Sequence, residues 1–98
     1  MDNKIVVISR PDCKYCSLTK DFFSDLGVEI TEINLNPDEV NYRKKRNELF
    51  KFYNHNSYPI IVIDNKLLGG YNELIYAYDT LKLHDMCIKI NIEIPYDF

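Results

Sequence analysis

The sequence predicts an α/β domain: a four-stranded mixed sheet with helices on both faces, its elements in the order β-α-β-α-β-β-α. Three observations predict it. Short β-branched runs alternate with amphipathic stretches of helical period. Only Asp64-Asn65 separates the last two strand-like runs, a gap that demands an antiparallel hairpin. The chain is 98 residues long, enough for one core and too short for two.

Residues 4–9, Lys-Ile-Val-Val-Ile-Ser, form an apolar run that suits a strand buried on both faces. Arg10-Pro11-Asp12 breaks it. Leu18, Phe22, Phe23 and Leu26 then share one helical face, and Gly27 is a helix stop. Residues 28–35 alternate apolar and polar, which reads as a half-exposed strand near a sheet edge. The first strand, helix and second strand should form a right-handed parallel βαβ unit. At Asn36-Pro37-Asp38-Glu39 the residue types fit a helix start: Asn36 as cap, Pro37 at the first position, Glu39 closing a capping box. That helix is expected to reach Tyr53. Its basic run Arg43-Lys44-Lys45-Arg46 reads as a solvated face, leaving only the helix ends to pack. Ile60–Ile63 and Lys66–Leu68 are the hairpin strands, and Gly69-Gly70 ends the second. A last helix is expected from about Asn72 to Leu83, with Leu74, Ile75, Tyr78 and Leu81 on one face. Beyond it, Ile88, Ile90, Ile92 and Ile94 recur at period two up to Pro95, the pattern of a one-faced strand. Residues 1–84 are read as the core domain and 85–98 as an extension packed on it.

Composition narrows the function classes. The chain is 46% hydrophobic and 28% charged with 3 Gly and 4 Pro, a globular balance rather than a disordered or fibrous one. Its longest apolar run is far short of the ~20 residues of a membrane span, and no signal-peptide pattern opens it. A cytoplasmic protein without membrane partners is expected. The net charge of −3 argues against nucleic acid as a partner, because phosphate backbones are met by basic faces.

Of the three cysteines, Cys13 and Cys16 form C-x-x-C and Cys87 stands alone. In a reducing compartment such a pair points to redox or metal chemistry rather than to a structural staple. Its context is a strand turning into a helix. A cysteine in the first helical turn faces unpaired backbone N–H groups and the positive end of the helix dipole, both of which stabilise a thiolate. Lys14 and Arg10 add positive charge; Asp12 opposes it. Cys13 is therefore read as the nucleophile and Cys16, one turn deeper, as the thiol that resolves the mixed disulfide. Other readings stand beside this one. A zinc half-site would need two further ligands from Cys87, His55 and His84, which form no matching second pair. The cysteines can also be small buried residues. An iron–sulfur cluster bridged between two chains through Cys13 stays open as an additional, less favoured activity. Cys87 is expected to be buried, and His55 and His84 to lie at the surface.

Three segments carry a resemblance to a known family. Val-Val-Ile-Ser-Arg-Pro-Asp-Cys-Lys-Tyr-Cys, Ser57-Tyr58-Pro59-Ile60-Ile61-Val62-Ile63-Asp64 and Leu68-Gly69-Gly70-Tyr71-Asn72-Glu73-Leu74 resemble, in order and spacing, the active-site, T-V-P and G-G segments of dithiol glutaredoxins. The resemblance covers about residues 3–83. It implies the thioredoxin-like fold, a cis Pro59 facing the cysteines, and a glutathione-dependent thiol–disulfide oxidoreductase with catalytic Cys13 and Cys16. It implies a glutathione groove formed by Tyr58 and Pro59, by Gly70, Tyr71 and Asn72 at a helix start, by Arg10 and Lys14 for the glycine-end carboxylate, and by Tyr15 at its flank. Glutathione is then reductant and co-substrate, with no metal and no tightly bound cofactor required. The partners implied are disulfide-containing or glutathionylated proteins, ribonucleotide reductase among the candidates, acted on by a monomer. The chain departs from the family pattern at Lys14 (for proline), Tyr58 (for valine), Ser57 (for threonine), Glu73 (for aspartate), and Asn56, where a basic residue is common. Rival readings are a redoxin of thioredoxin or ribonucleotide-reductase type reduced by a flavoprotein, and a cluster carrier. The absence of tryptophan argues against the W-C-G-P-C site of thioredoxin.

Overall fold

The computed structural model describes residues 4–95; the first three and last three positions of the expected domain and extension lie outside them. Eight elements follow one another: β1 (Ile5–Ser9), α1 (Lys14–Asp25), β2 (Thr31–Asn34), α2 (Tyr42–Tyr53), β3 (Ile60–Ile63), β4 (Lys66–Gly69), α3 (Tyr71–Asp79) and α4 (Lys82–Ile88). The strands form one sheet in the order β2-β1-β3-β4. β1 pairs parallel with β2 and antiparallel with β3, and β3 pairs antiparallel with β4. This is the mixed four-stranded sheet that the pattern of runs predicts.

The two central strands are apolar on both sides because both sides are covered. Ile5, Val7, Ile61 and Ile63 point into one core, which Phe23 of α1, Leu74 and Ala77 of α3, and Leu83 and Cys87 of α4 complete. Ile8, Ile60 and Val62 point into the other, under α2. The alternation follows from the two-residue period of a strand. α2 buries no residue fully; Tyr42 at its start and Leu49, Phe50 and Tyr53 at its end seat it on the sheet. β2 is an edge strand and all four of its residues are exposed. Ser9, buried at the end of β1, donates its hydroxyl to Glu32 of β2 at 2.6 Å, and Lys20 of α1 reaches the same carboxylate oxygen at 2.8 Å. Lys20 first, then Ser9, holds the Glu32 carboxyl below the usual range.

The hairpin turn is Asp64-Asn65, both at positive φ (52° and 64°). Asp and Asn tolerate that region best among non-glycine residues, and a two-residue turn of this hand matches the strand twist. Ile61 pairs with Gly69 while Val62 pairs with Leu67, so Leu68 is an extra, bulged residue.

Four local expectations give way. The Asn36-Pro37 signal builds a turn: Asn36 Oδ1 accepts from the Asp38 N–H at 2.9 Å, and the helix starts only at Tyr42. Polar residues and the fully exposed Val40 offer residues 37–41 nothing to bury, so the side-chain bond wins locally. The expected 72–83 helix is two helices, broken at Leu81 (φ 65°) after Thr80 donates its hydroxyl to the Tyr76 carbonyl at 2.8 Å. The break turns Leu83, His84 and Cys87 inward. His84, expected at the surface, is 2% exposed, stacks on Tyr78 at 5.3 Å and lies 3.2 Å from the Pro95 carbonyl. Finally, the Ile-rich tail is not a strand. Ile88 ends α4, and the N–H groups of Ile90 and Ile92 bond back to the Cys87 carbonyl (3.1 and 2.8 Å) around Asn91 at positive φ. With its donors satisfied by the helix end, the segment needs no strand partner. Ile90, Ile92 and the buried Ile94 still turn toward the first core, and Lys4 bonds the Ile90 carbonyl at 2.7 Å.

Phe23 is fully buried between α1 and the sheet. Phe23→Ala is expected to cost about 3–5 kcal/mol of unfolding free energy, read from urea titration. Glu32→Gln is expected to cost about 0.5–1 kcal/mol near neutral pH, the pair being partly exposed. Because the folded carboxyl sits below its ordinary value of 4.5, this contribution is complete above that pH and fades as pH falls through the folded value. Unfolding of the two proteins compared across pH 3–7 checks both size and sign.

Candidate active site

Cys13 caps α1. It lies in extended backbone, directly after Asp12 in the left-handed region (φ 57°), and its sulfur accepts the Cys16 N–H at 3.2 Å. The two cysteines are joined in a disulfide with Cα atoms 5.2 Å apart. Their surroundings are unequal: Cys13 is half-buried, while Cys16 is 1% exposed against the first core. The capping sulfur therefore combines access with the electrostatics of a helix N-terminus.

An open groove of about 410 Å³ reaches the pair through Tyr15; neither Cys13 nor Cys16 is among its lining residues. Tyr15, which stands between the cysteines in sequence, forms one wall and meets the ring of Tyr71 at 5.6 Å across the groove's α1–α3 side. Tyr58 and Pro59, joined by a cis peptide bond, and Gly70, Tyr71 and Asn72 complete the lining expected from sequence. Arg10 and Lys14 do not line it. Each lies over the ring of a residue that does: Arg10 5.9 Å from the Tyr58 centroid and Lys14 5.8 Å from that of Tyr15.

Three further residues line the groove that the resemblance did not assign to it: His55, Ser57 and Glu73. His55 was expected at the surface; it is half-buried, its Nε2 3.5 Å from the Ser57 hydroxyl. Its place beside the Ser-Tyr-Pro segment was the available signal, but a single histidine without a partner motif carries little weight in a sequence. Glu73 accepts the Gly70 N–H at 2.7 Å, one of the orphan donors at the start of α3. Tyr58 is held from behind. Its hydroxyl lies 3.2 Å from that of Tyr42, and its ring meets Phe50 at 5.3 Å. Burial raises the Tyr58 phenol far above its usual range, while the bond from Tyr58, helped by Arg46 and Arg10, lowers that of Tyr42.

Cys87 lies apart from the groove, fully buried in the first core, where burial pushes its thiol up to about 11. Among the described residues, no three His, Cys, Asp or Glu side chains gather where they could hold a metal ion. Among the described residues, no helix is long and apolar enough to cross a membrane.

The glutaredoxin family profile matches residues 5–68, from β1 through the cysteine pair to β4. The chain belongs to the glutaredoxin family. Mitochondrial glutaredoxin-2 of Rattus norvegicus is 32% identical over 84 residues, and that of Homo sapiens 30%; the match covers 85% of this chain in both cases. It covers 48% and 46% of those proteins, so this glutaredoxin spans about half the length of these relatives. Among solved structures, a buckwheat glutaredoxin–glutathione complex superposes with a TM-score of 0.83 at 26% identity, over 93% of this chain and 82% of that one. Glutaredoxins are thiol oxidoreductases, and the Cys13–Cys16 pair occupies the family's active-site position.

The groove's rim is sensitive at Gly69, whose φ of 129° is closed to most side chains and whose Cβ would lie 2.7 Å from Glu73 Cγ and 2.8 Å from its carboxylate. Gly69→Ala is expected to drive Glu73 off the Gly70 N–H and to cost about 1–3 kcal/mol of stability, read by thermal or urea unfolding.

Proposed function

We propose that this glutaredoxin is a glutathione-dependent thiol–disulfide oxidoreductase acting on protein disulfides and on glutathione mixed disulfides. The observation that carries the reading is the unequal cysteine pair at the start of α1, set beside a groove walled by Tyr15 and by Tyr58-cis-Pro59. That a related buckwheat protein forms a complex with glutathione supports the choice of ligand.

In the reduced protein, Cys13, accessible at the helix N-terminus, is the attacking sulfur and Cys16, shielded from solvent, is the resolving one. The Cys13 thiolate attacks the glutathione sulfur of a protein–glutathione disulfide. The old S–S bond breaks, the client thiolate leaves and takes a proton, and glutathione remains on Cys13. A second glutathione thiolate attacks that glutathione sulfur, releasing oxidised glutathione and restoring Cys13. With a client disulfide, Cys13 forms a mixed disulfide to the client. Cys16 then attacks the Cys13 sulfur, expels the client's thiol and closes the Cys13–Cys16 bond, which two glutathiones reduce in turn.

The groove serves this chemistry by position. Tyr58 precedes the cis proline, where a backbone N–H and C=O can pair with the extended tripeptide. Gly70, Tyr71 and Asn72 line the groove where α3 opens; with the Gly70 N–H bonded to Glu73, the N–H groups of Tyr71 and Asn72 suit the γ-glutamyl carboxylate. Arg10 and Lys14, at the rim, suit the glycine carboxylate. A cytoplasmic setting belongs to this reading, because a reducing compartment returns the pair to the dithiol.

The test is turnover of a glutathione mixed disulfide coupled to glutathione reductase and NADPH. Wild type is expected to turn over, Cys13→Ser to lose at least about a thousandfold of the rate, and Cys16→Ser to keep this reaction while losing reduction of a protein disulfide. A wild-type protein inactive with glutathione but active with thioredoxin reductase overturns the proposal in favour of a flavoprotein-reduced redoxin.

A further inference from the structure

Among the described residues that line the groove, His55 is the one side chain able to carry a positive charge and Glu73 the one acidic side chain. The imidazole faces the start of α3. A Cβ placed on Gly70 would lie 3.7 Å from His55 Nε2 and 3.3 Å from Glu73 Oε1. An imidazole from the segment before Pro59 and a carboxylate from α3 therefore flank one backbone position, the glycine whose N–H Glu73 already accepts. Such a pair fits a zwitterionic amino-acid end, its carboxylate toward the imidazole and its ammonium toward Glu73.

We infer that His55 is a specificity residue that recognises the γ-glutamyl carboxylate of glutathione and makes capture of the glutathionyl group pH-dependent. The inference rests on the reading that this groove holds glutathione. The Ser57 hydroxyl on its own segment lies 3.5 Å from the His55 imidazole, and the titratable groups that share the groove lining with it are Glu73 and Tyr71 from α3, Tyr15 from α1, and Tyr58 before β3. Among these residue types, imidazole is the one that ordinarily changes charge between pH 5 and 8. The carboxylates and ammonium of glutathione keep their charges across that interval. Binding should therefore be tighter on the acidic side, where the imidazolium can donate a charge-assisted bond.

Binding, rather than turnover, isolates this effect, because the thiols of the reaction also titrate. The probe is S-methylglutathione, which cannot exchange, titrated into the oxidised full chain and followed by amide NMR at about pH 5.5 and about pH 8. Wild type is expected to bind at least about threefold more tightly at the lower pH, with shifts at the Gly70, Tyr71 and Asn72 amides. His55→Gln is expected to bind weakly and equally at both pH values. His55→Lys, which keeps the charge, is expected to bind tightly at both, separating lost charge from lost packing. A His55→Gln protein that keeps the wild-type affinity and pH trend overturns the role of His55 and leaves the glutathione reading standing. A wild-type protein that binds no S-methylglutathione at either pH overturns both.

Discussion

The antiparallel pairing of β1 with β3 is the constraint on which the rest of the molecule depends. Four pairs, Ile5 with Ile63, Val6 with Val62, Val7 with Ile61 and Ile8 with Ile60, put the end of β1 beside the beginning of β3. The pairing of Ile61 with Gly69 brings the end of β4 to the same edge of the sheet. Three segments far apart in sequence, the cysteine turn after β1, the Tyr58-Pro59 bond before β3 and the glycines after β4, therefore emerge together. The groove is a consequence of strand direction. Any chain of this topology gathers those three junctions at one end, and this chain equips each with the residue types of thiol exchange.

The helices both cover the sheet and aim the groups at its end. α1 is anchored by Phe23 and Cys16 in the first core, so the exposed partner of the pair, Cys13, is held at the helix start rather than on a free loop. α2 touches the second core only through its two ends, yet Tyr42 and Phe50 from those ends hold Tyr58. The large aromatic that replaces the family's usual small residue before the proline thus has its hydroxyl bonded and one ring face packed. At the third junction, Glu73 plays two parts: it satisfies the Gly70 N–H and it lines the groove together with His55. The extra residue Leu68 and the positive φ of Gly69 mark where the chain bends to bring this about.

Much of this is legible in the sequence. The fully apolar runs of β1 and β3 announced strands covered on both faces, the alternating 28–35 segment announced an exposed edge, and Asp64-Asn65 announced the hairpin. The cysteines, Tyr58-Pro59 and Gly70-Tyr71-Asn72 were legible as one site because their spacing matched a family pattern. What misled were strong local signals whose tertiary context was missing. Asn36-Pro37 has good capping chemistry, but the residues after it bury nothing, and the turn it makes stands alone. The Ile-rich tail has the period of a strand, but its backbone donors close on the end of α4. His84 reads as a polar surface residue until the kink at Leu81 rotates it under Tyr78.

By itself the sequence determined the class of fold, the edge and centre of the sheet, and the identity of the reactive pair, since hydrophobic period, turn chemistry and C-x-x-C spacing are local properties. The tertiary structure alone decided that His55, Ser57 and Glu73 share a groove with Tyr15 and Tyr58, that Arg10 and Lys14 stand on its rim, and that the last helix breaks to bury His84 and Cys87. Those are contacts between residues far apart in the chain or on opposite sides of a turn. Their geometry is set by how helices seat on a twisted sheet, and no local pattern encodes it.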